Sequence, residues 1–217
     1  MSADPSRPED FRDALQRHAG RYAIELNEGA TARLANYYEL LLTWNPRLHL
    51  FAPCSPAEFA TRHVLESLLL LPHLSPNARV ADIGSGAGLP LIPALISRAD
   101  IHGVLIESSP KKAVFLREAF RVSEISPQAT VVAERFENIP APEVDYVTCR
   151  ALDRFLELFP KLVQWSPRRS TLLLFGGAGL QDKIERASLA FSVVKIPGSE
   201  RRRLLVIKPE PPAIACG

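Results

Sequence analysis

The chemistry in this chain is concentrated in Asp82-Ile83-Gly84-Ser85-Gly86-Ala87-Gly88-Leu89-Pro90. Three glycines stand at alternate positions, with an acid two residues before the first. Glycine has no Cβ and accepts positive φ, so a backbone built this way can press against a flat ligand. The spacing is G-x-G-x-G rather than the G-x-G-x-x-G that seats a dinucleotide pyrophosphate on a turn and a helix N-terminus. A ligand with an adenosine and an ammonium group but no phosphate fits better, and S-adenosylmethionine has that chemistry. A second acid, Glu107, follows the apolar run His102 to Ile106. An acid at the C-terminal end of that strand can accept both ribose hydroxyls. Asp82, Gly84, Gly86, Gly88 and Glu107 are therefore the candidate cofactor residues. A tight turn with a surface glutamate is the plainer alternative.

No acid–base dyad stands out. His49, His63, His73 and His102 are scattered, and a lone histidine is more often structural than catalytic. Cys54, Cys149 and Cys216 make no C-x-x-C, so neither a metal site nor a disulfide framework is indicated.

The elements that must position these residues alternate from residue 79 onward. Strands are expected at 79–83, 102–106, 130–133, 144–148, 171–175, 191–196 and 203–207. Helices are expected from Ser109-Pro110 to Glu124, over 152–165 with a kink at Pro160, and near 180–190. Alternation of this kind predicts an α/β fold, a mostly parallel sheet with helices on both faces. The last two strands are too close for a parallel crossover and must form an antiparallel hairpin. Seven strands with a late hairpin are the pattern of a methyltransferase sheet.

Ahead of the sheet, residues 1–76 read as a tail (1–9) and a helical extension. Phe11 and Leu15 mark a short helix before a turn at Gly20. A longer helix spans 28–44 and ends before Pro46. A third runs from Ser55-Pro56, a serine cap with proline at the first helical position, to about Leu71. Tyr37 and Trp44 fit the apolar face of the second helix better than a base-stacking surface. The methyltransferase domain is placed at 77–209 and a C-terminal tail at 210–217.

The 217 residues are 47% hydrophobic and 23% charged with a net charge of +2, suited to one domain plus an extension. That charge permits contact with nucleic acid without arguing for it. Basic residues gather at Arg62-His63, Lys111-Lys112, Arg117 with Arg121, Arg168-Arg169 and Arg201-Arg202-Arg203. The first residues lack the apolar core of a signal peptide, and no stretch resembles a membrane span. A cytoplasmic enzyme is expected.

Several segments together carry a family resemblance. They are Leu42-x-Trp44-Asn45, Arg62-His63-x-Leu65-x-Ser67, the Asp82 to Pro90 turn, Lys111-Lys112-x-x-Phe115-Leu116-Arg117, Cys149-Arg150-Ala151 and Arg202-x-Leu204-x-Val206-Ile207-Lys208. In this order, residues about 37–208 resemble the bacterial 16S ribosomal RNA methyltransferase G family, also called glucose-inhibited division protein B. The resemblance implies a class I S-adenosylmethionine-dependent methyltransferase fold and methyl transfer to N7 of a guanine in small-subunit ribosomal RNA. Its cofactor pocket maps onto Gly84, Leu89, Phe136, Glu137 and Arg150, with Glu107 at the ribose. The implied partner is 16S ribosomal RNA or the small subunit, met by a monomer with no metal and no membrane.

Guanine N7 carries a lone pair and no proton, so the reaction needs orientation rather than a general base. Arg150 is the candidate for orienting the substrate, since guanidinium can present two donors to a base or phosphate; a structural ion pair is its plainer role. His63, beside Arg62, is the weaker catalytic candidate. The chain departs from the family pattern at His49 and Phe51 (usually Asn and Thr), Leu91 (Gly), Cys149 (Ser) and Phe175 (Lys). Those changes keep open a small-molecule or protein acceptor for the same cofactor. A nicotinamide oxidoreductase is disfavoured by the glycine spacing and the hairpin, and a cofactor-binding protein without catalysis remains compatible with the sequence.

Overall fold

A computed structural model describes residues 8–150 and 155–209. Its strands are β1 (Arg79–Ile83), β2 (His102–Ile106), β3 (Ala129–Val132), β4 (Tyr146–Arg150), β5 (Thr171–Gly176), β6 (Phe191–Lys195) and β7 (Arg203–Ile207). They form one sheet in the order β3-β2-β1-β4-β5-β7-β6. Strands β1 to β5 pair in parallel, while β7 runs antiparallel to both β5 and β6. This is the class I methyltransferase arrangement that the alternating pattern and the close final strands predict.

The central strands are apolar on both faces because helices cover both. Val80 to Ile83 and Leu172 to Phe175 are all buried. The chain order reverses between β1 and β4, which leaves a crevice beyond the C-terminal ends of the strands. Register then fixes what faces that crevice. Ile83 is level with Ile106 on β2 and with Cys149 on β4, so Gly84, Glu107 and Arg150 come out side by side. Arg150 in turn pairs with Phe175.

The helices are α1 (Pro8–Ala19), α2 (Glu28–Leu48), α3, α4 (Leu91–Ser97), α5 (Pro110–Val122), α6 (Phe155–Trp165) and α7 (Ala178–Arg186). Helix α3 is composite: α at Pro56–Glu58, a π-helix over Phe59–Leu65, and α again at Glu66–Leu68. One face of the sheet shares a single core with the extension, in which Leu34, Tyr38, Phe59 and Leu65 pack with Val80, Leu105 and Phe115. The other face packs Ile83, Val147 and Leu174 against Phe159, Leu162 and Ile184 of α6 and α7.

Several boundaries differ from the sequence expectation. Helix α1 begins at Pro8, so the expected tail stops at residue 7; proline needs no N–H in a first turn. Helix α2 passes through Pro46 to Leu48, because the ring forfeits one hydrogen bond near the end and His49, at φ 48°, caps the last turn onto the Asn45 carbonyl. Helix α3 stops at Leu68, and Leu71–His73 forms a separate 3₁₀ turn. Strand β3 starts one residue early, at Ala129. Strand β4 lies two residues later than expected. Its polar members are accommodated: the Thr148 hydroxyl donates to the Leu173 carbonyl at 2.8 Å, and Arg150 is ion-paired. Helix α7 closes at Arg186, before Ser188 turns to φ 54°. Ala151, the expected helical residues 152–154, Cys216, the first seven residues and the C-terminal tail at 210–217 lie outside the described residues.

Candidate active site

Gly84, Gly86 and Gly88 all have positive φ, at 68°, 52° and 87°. The last two serve different ends. A Cβ on Gly88 would lie 2.3 Å from Ile92 Cδ1, so this glycine exists for helix packing. A Cβ on Gly86 would meet nothing nearer than the Gly84 carbonyl oxygen at 3.7 Å, so here the backbone itself faces open space. The turn is stitched to the next strand. The Gly84 and Ser85 N–H groups donate to the Ile106 carbonyl, and the Gly86 N–H donates to Glu107 Oε2 at 2.8 Å. The other oxygen, Oε1, accepts the Ser109 N–H at 2.7 Å. The Glu107 carboxylate thus ties the glycine turn to the start of α5, whose cap is the Ser109 hydroxyl.

Asp82 lies behind the turn. It is fully buried, and neither carboxylate oxygen has a hydrogen-bond partner. The adjacent Ser85 hydroxyl directs its proton to the Asp82 main-chain oxygen instead, at 2.9 Å. Burial pushes the Asp82 carboxyl up to about 8. The Tyr37 hydroxyl, also buried, donates to the Ala87 carbonyl from α2, and burial followed by the nearby Asp82 raises its pKa well above the ordinary range.

Two adjoining cavities open above the strand ends. The first, about 560 Å³, is lined by Gly84, Ile106, Ser108, Phe136 and Glu137 among others. Phe136 is nearly buried and stands edge-on to Trp165 at 5.6 Å, while Glu137 is exposed at the rim. The second, about 780 Å³, is lined by Gly84, Gly86, Leu89, Glu107, Arg150 and His63 with Phe51, Glu66, Lys112, Phe175, Arg201 and Arg202. Gly84 and Ser108 belong to both, so the two are lobes of one cleft. Of the residues singled out in the sequence, the structure brings together all but Asp82 and Gly88, which sit beneath the turn.

Helix α3 walls the second lobe. In its π-helical stretch the Glu66 N–H reaches back to the Thr61 carbonyl, and π-turns of this kind recur at functional sites. The Arg62 carbonyl accepts from Arg150 Nη2, and the His63 carbonyl accepts from the Ser67 hydroxyl. His63 packs on Phe59 at 4.8 Å between ring centroids. Burial, then the charges of Arg150, Arg62 and Arg202, depress its pKa to about 4, so the imidazole is neutral at ordinary pH. Arg150 also reaches Ser67 Oγ at 3.1 Å and Glu66 Oε2 at 3.3 Å, and its guanidinium lies 5.5 Å from the Phe175 ring centre.

Sequence reasoning missed Glu66 and Ser108 as lining residues, whereas Lys112 comes from a basic cluster it did name. The available signal for Glu66 was an acid set among Val64, Leu65, Leu68 and Leu69, where an unpaired charge would not be tolerated. The basic clusters divide: Arg62, Lys112, Arg201 and Arg202 line the second lobe, whereas Arg168-Arg169 precede β5 at its N-terminal end, away from the cleft at the C-terminal ends of the parallel strands.

Comparison with known proteins agrees with this geometry. Residues 30–201 match the family model described as rRNA small subunit methyltransferase G. The ribosomal RNA small subunit methyltransferase G of Xanthomonas axonopodis pv. citri is 34% identical over 210 residues, covering 94% of this chain and 97% of that one. Its counterpart from Nitrosomonas eutropha is 37% identical over 188 residues, covering 82% and 86%. Among solved structures, an RNA methyltransferase from Salinibacter ruber in complex with S-adenosyl-L-homocysteine superposes with a TM-score of 0.54 at 19% identity, over 68% of this chain and 91% of that one, a likeness of fold.

Proposed function

The chain belongs to the rRNA small subunit methyltransferase G family, and from that premise we propose that it transfers the methyl group of S-adenosylmethionine to N7 of a guanine in 16S ribosomal RNA. The observation that carries this reading is the two-lobed cleft, in which one lobe, at Phe136 and Glu137, opens through Gly84 and Ser108 into a second that holds the glycine turn, Glu107 and a wall of cations. The residues present fit the cofactor. The open backbone at Gly86 is what a flat adenosine requires, whereas Asp82 is buried behind the turn and supports it from beneath rather than lining the cleft. Gly84, Gly86 and Leu89 would hold it at the turn, Glu107 at the ribose, and Phe136 with Glu137 at the base; Gly88 supports the turn from behind.

Bound there, the cofactor supplies a methyl group on a positively charged sulfur, open to in-line attack by a lone pair. The chain's own residues then have to bind and orient the guanine. N7 gives up no proton, so the reaction asks for no general base, and the Glu66 carboxylate beside Arg150 is occupied by ion pairs. Arg150 is suited to orienting the base, and Arg62, Lys112, Arg201 and Arg202 to meeting phosphates around it. N7 faces the deep, narrow major groove of an A-form helix, which side chains cannot enter, so a loop of the RNA is the expected target. The enzyme is taken to work as a monomer in the cytoplasm, where small subunits are assembled; among the described residues the large exposed apolar side chains, Val114, Leu156 and Val193, lie on three different elements.

Ligand-linked stability tests the cofactor. S-adenosylhomocysteine at a hundred times its Kd should add about 2.7 kcal/mol of stability, seen as a higher Tm, and NAD should add none. Gly86→Val, which puts a branched side chain where the backbone faces the cleft, should remove the effect. Stabilisation by NAD and none by S-adenosylhomocysteine would sink the reading.

A further inference from the structure

Glu66 is an acid in an apolar setting, and its side chain is only 1% exposed. Two guanidiniums converge on it from different parts of the chain. Arg202, just before β7, binds it as a fork: Nη2 donates to Oε1 at 2.6 Å and Nε to Oε2 at 3.1 Å. Arg150, the last residue of β4, donates from Nη2 to Oε2 at 3.3 Å. Its Nη1 donates to the hydroxyl of the adjacent Ser67 at 3.1 Å, and Arg150 is itself only 13% exposed. One carboxylate therefore joins helix α3, the end of β4 and the β6–β7 hairpin, which are three walls of the second lobe.

We propose that Glu66 is a positioning residue for methyl transfer: by clasping Arg150 and Arg202 it fixes the cationic wall against which the acceptor base is oriented. Charge explains why a carboxylate is needed. Two guanidiniums this close repel each other, and only an acid between them holds both, with planar forks, in one geometry. One carboxylate leaves the pair with a net positive charge toward a cleft that is to receive an anionic strand. The role rests on the proposed acceptor and adds a residue that does not itself meet substrate.

The test separates binding from orientation. Glu66→Gln keeps the shape and removes the charge; Ser67→Ala leaves the carboxylate in place and releases Arg150 Nη1 together with the His63 carbonyl. With small ribosomal subunits as acceptor, kcat should fall about 10-fold to 100-fold in Glu66→Gln, while the Kd for S-adenosylhomocysteine stays within about twofold. Ser67→Ala should lower kcat in the same direction and less. If Glu66→Gln gives no folded protein, Ser67→Ala decides by the same criterion. Unchanged kcat, or a loss of kcat matched by an equal loss of cofactor affinity and of Tm, would overturn the positioning role. Failure of the wild-type protein to methylate subunits would instead overturn the role together with the function it rests on.

Discussion

A carboxyl with no partner inside a protein keeps its proton, and Asp82 is such a group. Its folded pKa is raised to about 8, from about 4 in an unfolded chain. Between those values the folded state binds more protons than the unfolded one, so stability falls as pH rises through the window. Below it the carboxyl is neutral in both states and the cost vanishes; above it the cost is constant. Asp82→Asn cannot ionise. Without cofactor, the variant should gain on the wild-type protein by up to about 1.4 kcal/mol per pH unit between about pH 4 and pH 8. Urea unfolding at a series of pH values measures this. A gap independent of pH would mean that Asp82 has a partner or stays charged. That an acid belongs before the glycines was legible from spacing. That both its oxygens are unpaired was not, because burial is set by tertiary packing, to which Tyr37 of α2 contributes from a distant part of the chain.

At the scale of elements, the extension braces the glycine turn. Helix α2 buries Tyr37 beneath the glycine turn and hydrogen-bonds it to the Ala87 carbonyl. The helical spacing of Leu34, Tyr37, Tyr38 and Leu41 predicted a core position, and the ring is in the core. The hydroxyl's second role could not be read from periodicity, which says which face is buried and not what it meets. Tyr37→Phe leaves the Ala87 carbonyl without that donor, which should cost about 1–3 kcal/mol. It should also weaken S-adenosylhomocysteine binding, by calorimetry, because the turn loses its brace. A loss of stability with unchanged affinity would show that the brace does not reach the ligand. Helix α3 was legible as a helix from its serine cap and proline. Its π-helical stretch carries no composition signal, and the clasp it permits depends on Arg150 and Arg202, more than 80 positions away.

For the whole molecule, a net charge of +2 provides no strong global field, so attraction for RNA has to be local. Folding supplies that locality by bringing residues from α3, α5, β4 and the hairpin to one cleft, while Arg168-Arg169 go to the N-terminal end of β5. Alternation made the parallel sheet and its late hairpin legible in the sequence. The strand order, its reversal beside β1 and the shared level of Gly84, Glu107 and Arg150 depend on register, which the sequence did not show. The acceptor half of the site was less legible than the cofactor half, since it is assembled from distant segments by tertiary packing. It is also where His49, Phe51 and Phe175 replace the family's usual residues, and all three line the second lobe. The acceptor is therefore the claim to test. Small ribosomal subunits from a strain lacking this gene should be incubated with the protein and S-adenosylmethionine labelled in its methyl group, and the product nucleotide mapped. The account predicts label in 16S ribosomal RNA as 7-methylguanosine at one position. Label in protein or on another base, or no label while S-adenosylhomocysteine still stabilises the enzyme, would contradict it.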